Sequence, residues 1–86
     1  MEVEIGSVVL SKAGRDKGKL LAVTHIADDG IYVCDGKERP VERPKKKNPV
    51  HLAVTRYRVS ESDAATNRSL KRALSQISGS EKREVK

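Results

Sequence analysis

Short apolar runs separated by turn residues make up the chain as far as residue 59. Runs of this length, rich in β-branched residues, are typical of strands. They predict five strands, over residues 5–12, 19–26, 31–34, 39–42 and 50–58. Five short strands joined by turns are typical of a small antiparallel barrel. We therefore expect a mainly β fold built on a small five-stranded barrel.

The second predicted strand is apolar on both of its faces. Successive side chains of a strand alternate, so Leu21 and Val23 point to one side. Leu20, Ala22 and Ile26 then point to the other side. We expect this strand to be covered on both faces over part of its length.

Prolines limit what the segment 40–49 can form. Pro40, Pro44 and Pro49 have no backbone N–H to donate, and a proline in a sheet is confined to edges and bulges. A central strand and a long helix are therefore excluded. We predict a short edge strand at residues 39–42, followed by an extended basic loop.

The last third of the chain changes from the period of a strand to that of a helix. Four apolar residues recur at helical spacing: Leu70, Ala73, Leu74 and Ile77. Thr66 is a suitable N-cap and Gly79 a suitable residue just after the helix, although residues 60–63 offer an earlier start. The chain then divides into a barrel (1–59), a helical segment packed as a lid on one end of it (60–79) and a flexible tail (80–86).

The positive charge is concentrated in two segments, residues 12–19 and 37–47. The net charge of the protein is +6, yet these segments carry ten cations against three acids, +7 together, which leaves −1 for the rest of the chain. The ten cations are Lys12, Arg15, Lys17, Lys19, Lys37, Arg39, Arg43, Lys45, Lys46 and Lys47. A field concentrated in this way favours a polyanionic partner such as nucleic acid.

The first basic segment lies in the loop between the first two strands. Gly14 and Gly18 bound this loop, and a bulged loop of this length needs a positive φ that glycine adopts without strain. We expect the positive φ at Gly18, with Gly14 only ending its strand. In a small barrel the loops of different hairpins cluster, so we also expect the two basic segments to converge on one surface.

Residues 8–11 and 14–19, VVLS and GRDKGK, resemble a KOW motif, the strand–loop–strand unit of several ribosomal proteins and transcription elongation factors. Gly18 stands at the characteristic glycine, whereas Leu21 stands where bacterial KOW ribosomal proteins usually have another glycine. Residues 18–36 resemble a different branch, the eukaryotic-type large-subunit ribosomal proteins fourteen, six and twenty-seven and their short bacterial relatives. Residues 39–52 resemble the basic segment of those bacterial relatives.

The resemblance implies an SH3-like barrel that binds RNA, with ribosomal RNA as the expected partner and ribosomal proteins as further ones. The ten cations above are then the expected RNA-binding residues, with Gly14 and Gly18 as structural residues of the motif. The alternative is an SH3-like protein-interaction module, but such peptide grooves rely on aromatic walls. Tyr32 and Tyr57 are the only aromatic residues, and we expect both to be half-buried in the core.

No enzymatic chemistry is indicated by the remaining residues. His25, His51 and the single cysteine, Cys34, lack the spacing of a zinc site, and the glycine loop lacks the Gly-Lys-Ser/Thr of a P-loop. We expect no cofactor, no metal and no catalysis, with Cys34 a buried or half-buried apolar residue. A lone cysteine, no signal-peptide pattern and no membrane-spanning run predict a cytoplasmic protein away from membranes, monomeric when free.

Overall fold

The computed structural model describes residues 3–84. Within them, five strands are followed by one α-helix, and a single 3-10 turn at Pro49–His51 precedes the last strand. The strands are β1 (Ser7–Ser11), β2 (Leu20–Ala27), β3 (Gly30–Cys34), β4 (Lys45–Lys47) and β5 (Leu52–Arg58), and the helix is α1 (Asn67–Glu84). The predicted mainly β fold with a C-terminal helix is confirmed.

The five strands form one antiparallel sheet in the order β4-β3-β2-β1-β5. β4 and β5 are the outer strands, and no ladder pairs them in the part of the chain that the structure describes. The backbone hydrogen bonds thus leave the sheet open, whereas a barrel would be closed by pairing between its outer strands.

Both faces of the sheet are covered, as the apolar pattern of β2 predicts. On one face Val9, Leu21, Val33 and Leu52 belong to a buried apolar cluster. On the other face Val8, Ala22 and Cys34, neighbours across three strands, pack against the helix. The alternation fails near the end of β2, where the register with β3 shifts between Val23 and His25. Beyond this irregularity Ile26 is 42% exposed, so both faces are covered over part of the length of β2, as expected.

The predicted edge strand at residues 39–42 is wrong, because this stretch belongs to a looped connection. The Asp35 carboxylate accepts hydrogen bonds from the backbone N–H groups of Lys37 and Arg39, and the N–H of Arg43 bonds to the carbonyl of Pro40. The fourth strand is β4 instead, which was expected to be loop. It is the proline-free run after Pro44, and its backbone groups are available for pairing with β3.

Helix α1 begins as predicted but ends later. The hydroxyl of Thr66 accepts a hydrogen bond from the N–H of Ser69 at 3.1 Å, as expected of an N-cap. The helix continues through Gly79 to Glu84, so the predicted end at Gly79 is wrong. A glycine inside a helix costs only about 1 kcal/mol relative to alanine, and no proline follows to stop the helix. The predicted tail is therefore helical over 80–84, and residues 85–86 lie outside the described residues.

The helix packs on a face of the sheet rather than on an open end of a barrel. Leu70 and Leu74 are buried in the cluster that contains Val8, Ala22 and Cys34. None of the helices within residues 3–84 is long and apolar enough to cross a membrane.

Candidate nucleic-acid interface

The loop between β1 and β2 is a compact hydrogen-bonded turn. Backbone bonds from Gly18 N–H to the Ser11 carbonyl (2.9 Å) and from Lys19 N–H to the Asp16 carbonyl (2.9 Å) hold it closed. Gly18 has φ +85°, which confirms the expected left-handed conformation. Gly14 has φ +80°, so it too is a turn residue and does not merely end a strand. The loop thus holds its cations on a defined backbone.

Asp16, at the centre of this loop, joins the two basic segments. Its side chain is only 2% exposed, and its carboxylate lies 3.4 Å from both the Arg39 guanidinium and the Lys47 ammonium. Lys47 also donates a hydrogen bond to the Ser11 hydroxyl at 3.4 Å. The expected convergence of residues 12–19 with residues 37–47 is therefore observed.

Two opposing effects act on the pKa of Asp16. Burial raises it, because a charged group loses its hydration, but the positive charges of Arg39 and Lys47 and their hydrogen bonds more than offset this effect. The pKa of Asp16 therefore lies below its ordinary value, and the carboxylate is ionised at neutral pH. A buried anion with two cations around it is a structural element of this surface.

Arg39 and Lys47 are consequently tied into the fold, although both were predicted to contact RNA. Their side chains are 25% and 10% exposed, and the Nε of Arg39 is buried without a hydrogen-bond partner among the described residues. Sequence reasoning assigned all ten cations one role because it could not show which of them face a buried carboxylate.

Two other predicted site residues form ion pairs at the surface. Lys19 pairs with Glu38, and Lys46 pairs with Asp29 at 2.9 Å. The hydrogen bonds in these pairs raise the pKa of both lysines and lower the pKa of both acids. Because these groups are exposed, water and salt screen the pairs, which leaves the lysines available to another anion.

The remaining six predicted cations are exposed and form no ion pair with any side chain that the structure describes. They are Lys12, Arg15, Lys17, Lys37, Arg43 and Lys45. Charged groups of this kind contribute little to folding and are available for an external partner.

Two hollows in the surface meet at Lys19. One is lined by Arg15, Lys19 and Arg39, together with the acids Asp16 and Glu38. The other lies between the β1–β2 loop and α1, and its lining includes Lys19, Lys37 and Lys71. Sequence reasoning missed Lys71, because only the docking of the helix brings this residue beside the basic loops.

The aromatic, histidine and cysteine side chains lie outside these hollows. Tyr32 and Tyr57 are half-buried, as expected, and the ring of His25 lies 5.4 Å from that of Tyr32 between centroids. Cys34 is fully buried, which confirms its predicted apolar role, and burial raises the pKa of its thiol to about 11. No group of metal-ligating side chains is present in residues 3–84. No protein-family model matches the chain.

Proposed function

We propose that this protein is a non-enzymatic RNA-binding protein, a KOW domain of the SH3-like class that binds ribosomal RNA and associates with the ribosome. The observation that carries the proposal is the junction at Asp16. It brings the two basic segments together, and six of their cations are exposed and form no ion pair within the described part of the chain. A concentrated cationic surface on a rigid turn suits the phosphate backbone of RNA.

Affinity in this proposal comes from phosphate contacts. Each lysine or arginine that neutralises a phosphate releases condensed counterions, so the affinity falls steeply as salt is raised. Arg15 and Arg43 are exposed and carry planar guanidinium groups, which can also stack on unpaired bases. Arg39 and Lys47 act mainly by holding the two loops in place.

The resemblance of the first hairpin to a KOW motif supports the choice of RNA over other polyanions. The strand–loop–strand arrangement of β1 and β2, with left-handed Gly18 in the turn, is compatible with that motif. Ribosomal RNA is the partner that the resemblance of the basic segment implies.

A second candidate is an SH3-like protein-interaction module of the transcription or translation machinery. An apolar hollow lined by Ile5, Val23, Val41, Val59 and Ala64 favours it, since Ile5 is 59% exposed there. Co-purification before and after complete nuclease digestion separates the two candidates. A partner that is retained after digestion supports the second.

The direct test compares two double variants of equal charge in binding to purified ribosomal RNA over a range of salt concentrations. Arg15→Gln with Lys17→Gln removes two exposed cations of the β1–β2 loop. Arg58→Gln with Arg72→Gln removes two cations of a hollow that shares no lining residue with the two cationic ones.

We expect the loop variant to reduce the slope of log affinity against log salt by about 1.4 to 1.8, since each lost phosphate contact is worth about 0.7 to 0.9. The control should change the slope much less. Equal losses, or a wild-type protein whose binding does not depend on salt, would overturn the proposal. Sedimentation of the tagged protein with ribosomes tests the association separately.

A further inference from the structure

Helix α1 is fixed directly against the second basic segment. Gly36 has φ +80°, and a Cβ atom at this position would lie only 2.4 Å from the carbonyl oxygen of Asn67 and 3.1 Å from the backbone nitrogen of Lys71. The backbone of the turn therefore lies against the backbone of the helix, an approach that only glycine permits.

The side chain of Asn67 strengthens this contact. Its Oδ1 accepts a hydrogen bond from the N–H of Val41 at 2.8 Å, and its Nδ2 donates one to the carboxylate of Glu42 at 3.0 Å. The first turn of α1 is thus held to the loop that carries Lys37, Arg39 and Arg43.

This docking creates the hollow between the β1–β2 loop and the helix. The lysines Lys19, Lys37 and Lys71 line it, together with the helical residues Ser75 and Ser78. Among the side chains that the structure describes, Asp35 is the only acid that lines it, and its Oδ1 already accepts two backbone N–H groups of the loop. Three lysines against one acid among the described lining residues make the hollow positively charged.

Lys19 connects this hollow to its neighbour, which contains Arg15 and Arg39. The two hollows together are lined by four exposed cations, Arg15, Lys19, Lys37 and Lys71, and by Arg39, which the Asp16 carboxylate holds. Cations distributed over two adjoining hollows suit a chain of repeated phosphates better than one compact anion.

We propose that the hollow between the β1–β2 loop and α1 binds the sugar-phosphate backbone of an RNA strand, and that Lys71 of the helix contacts a phosphate there. This inference rests on the proposed RNA-binding function and extends it from the sheet to the helix. Lys71 neutralises the phosphate as a mobile point charge, while the hydroxyl groups of Ser75 and Ser78 donate hydrogen bonds to phosphate or ribose oxygens.

The adjacent residue, Arg72, provides a matched control. It carries the same charge and is also exposed, but it lines a different hollow with Tyr57, Arg58 and Asp63. Glutamine at either position removes the charge and keeps a good helix former. Full-length Lys71→Gln and Arg72→Gln proteins should therefore fold alike, which circular dichroism verifies.

The probe is a single-stranded oligouridylate of about 20 nucleotides, titrated at several salt concentrations. We expect Lys71→Gln to weaken binding about three- to tenfold at low salt and to reduce the salt slope by about 0.7, while Lys71→Arg restores both. Arg72→Gln should leave the slope unchanged.

Equal slopes for the two glutamine variants would overturn the helix site while leaving the proposed function intact, because the wild type would still bind in a salt-dependent way. Absence of salt-dependent binding by the wild type would overturn both. Polyglutamate, an acidic peptide, serves as a competitor that is a polyanion but not an RNA. If it displaced the RNA as well as an equal charge of oligouridylate does, the hollow would be a site for acidic peptides and the assignment to RNA would be wrong.

Discussion

Arg39 and Lys47 differ from Arg15 and Lys17 although all four lie in the same small region of the molecule. The first two are mostly buried and are held by the Asp16 carboxylate, whereas Arg15 and Lys17 are exposed. All four carry the same charge, and the difference lies in whether a buried anion is within reach. A cation beside a buried carboxylate is part of the fold, and a cation facing water is available to a partner.

The acids show the same contrast. Asp16 is buried between two cations, while Asp29 and Glu38, 69% and 59% exposed, each pair with one exposed lysine. An exposed pair contributes little to stability because solvent screens it, whereas breaking a buried pair leaves an uncompensated charge behind. The comparison therefore predicts different consequences for the removal of each acid.

The largest effect should follow Asp16→Asn. The substitution leaves Arg39 and Lys47 without their counter-charge, and we expect the free energy of unfolding in urea to fall by about 3 to 4 kcal/mol. Asp29→Asn is the control, for which we expect no measurable change. Similar losses in the two variants would show that burial does not distinguish these pairs.

Substitutions at two glycines in the left-handed conformation, Gly36 and Gly18, should cause smaller losses of stability that differ from each other. At Gly36, Ala adds backbone strain and a clash with the carbonyl of Asn67, so we expect a loss of about 2 to 3 kcal/mol. At Gly18 no atom lies within 4 Å of an added Cβ, and Val there should cost about 1 to 2 kcal/mol through backbone strain alone. Thermal unfolding of both variants tests the order, and a greater loss at Gly18 would contradict the close contact between turn and helix.

The pH dependence of stability should also reveal Asp16. Because its pKa is lower in the folded protein than in the unfolded chain, it stabilises the fold above about pH 4. That contribution is lost as the pH falls through the folded pKa. Urea unfolding of the wild type from neutral to acidic pH should therefore show a steeper fall than that of Asp16→Asn. Parallel curves would mean that the pKa of Asp16 is the same in both states.

The smallest effect should follow removal of the charge of Glu38, whose carboxylate forms an ion pair with the ammonium group of Lys19. Glu38→Gln frees that ammonium for phosphate, and we expect RNA to bind about two- to threefold more tightly at low salt. Glu61→Gln removes the same charge beside the apolar hollow that contains Ile5. An equal gain in both variants would show that only net charge matters.

The pattern of apolar and turn residues was sufficient to predict the elements that depend on residues close together in the chain. Apolar runs and turn residues predicted β1, β2, β3 and β5, and the helical spacing of Leu70 and Leu74 predicted α1. The left-handed conformation of Gly18 followed from the shape of a short charged turn. Each of these depends on residues that are close together in the chain, so the sequence by itself determined them.

Contacts between distant residues decided the rest. Lys45–Lys47 forms a strand because it is a proline-free run that pairs with the edge of β3. No property of three consecutive lysines predicts this pairing. Arg39 and Lys47 became structural because the fold brings Asp16 to them from another hairpin. Lys71 entered the cationic surface because Gly36 lets the helix approach the basic loop. Charge can be counted along a chain, but its burial and its neighbours depend on packing, and only the tertiary structure determines packing.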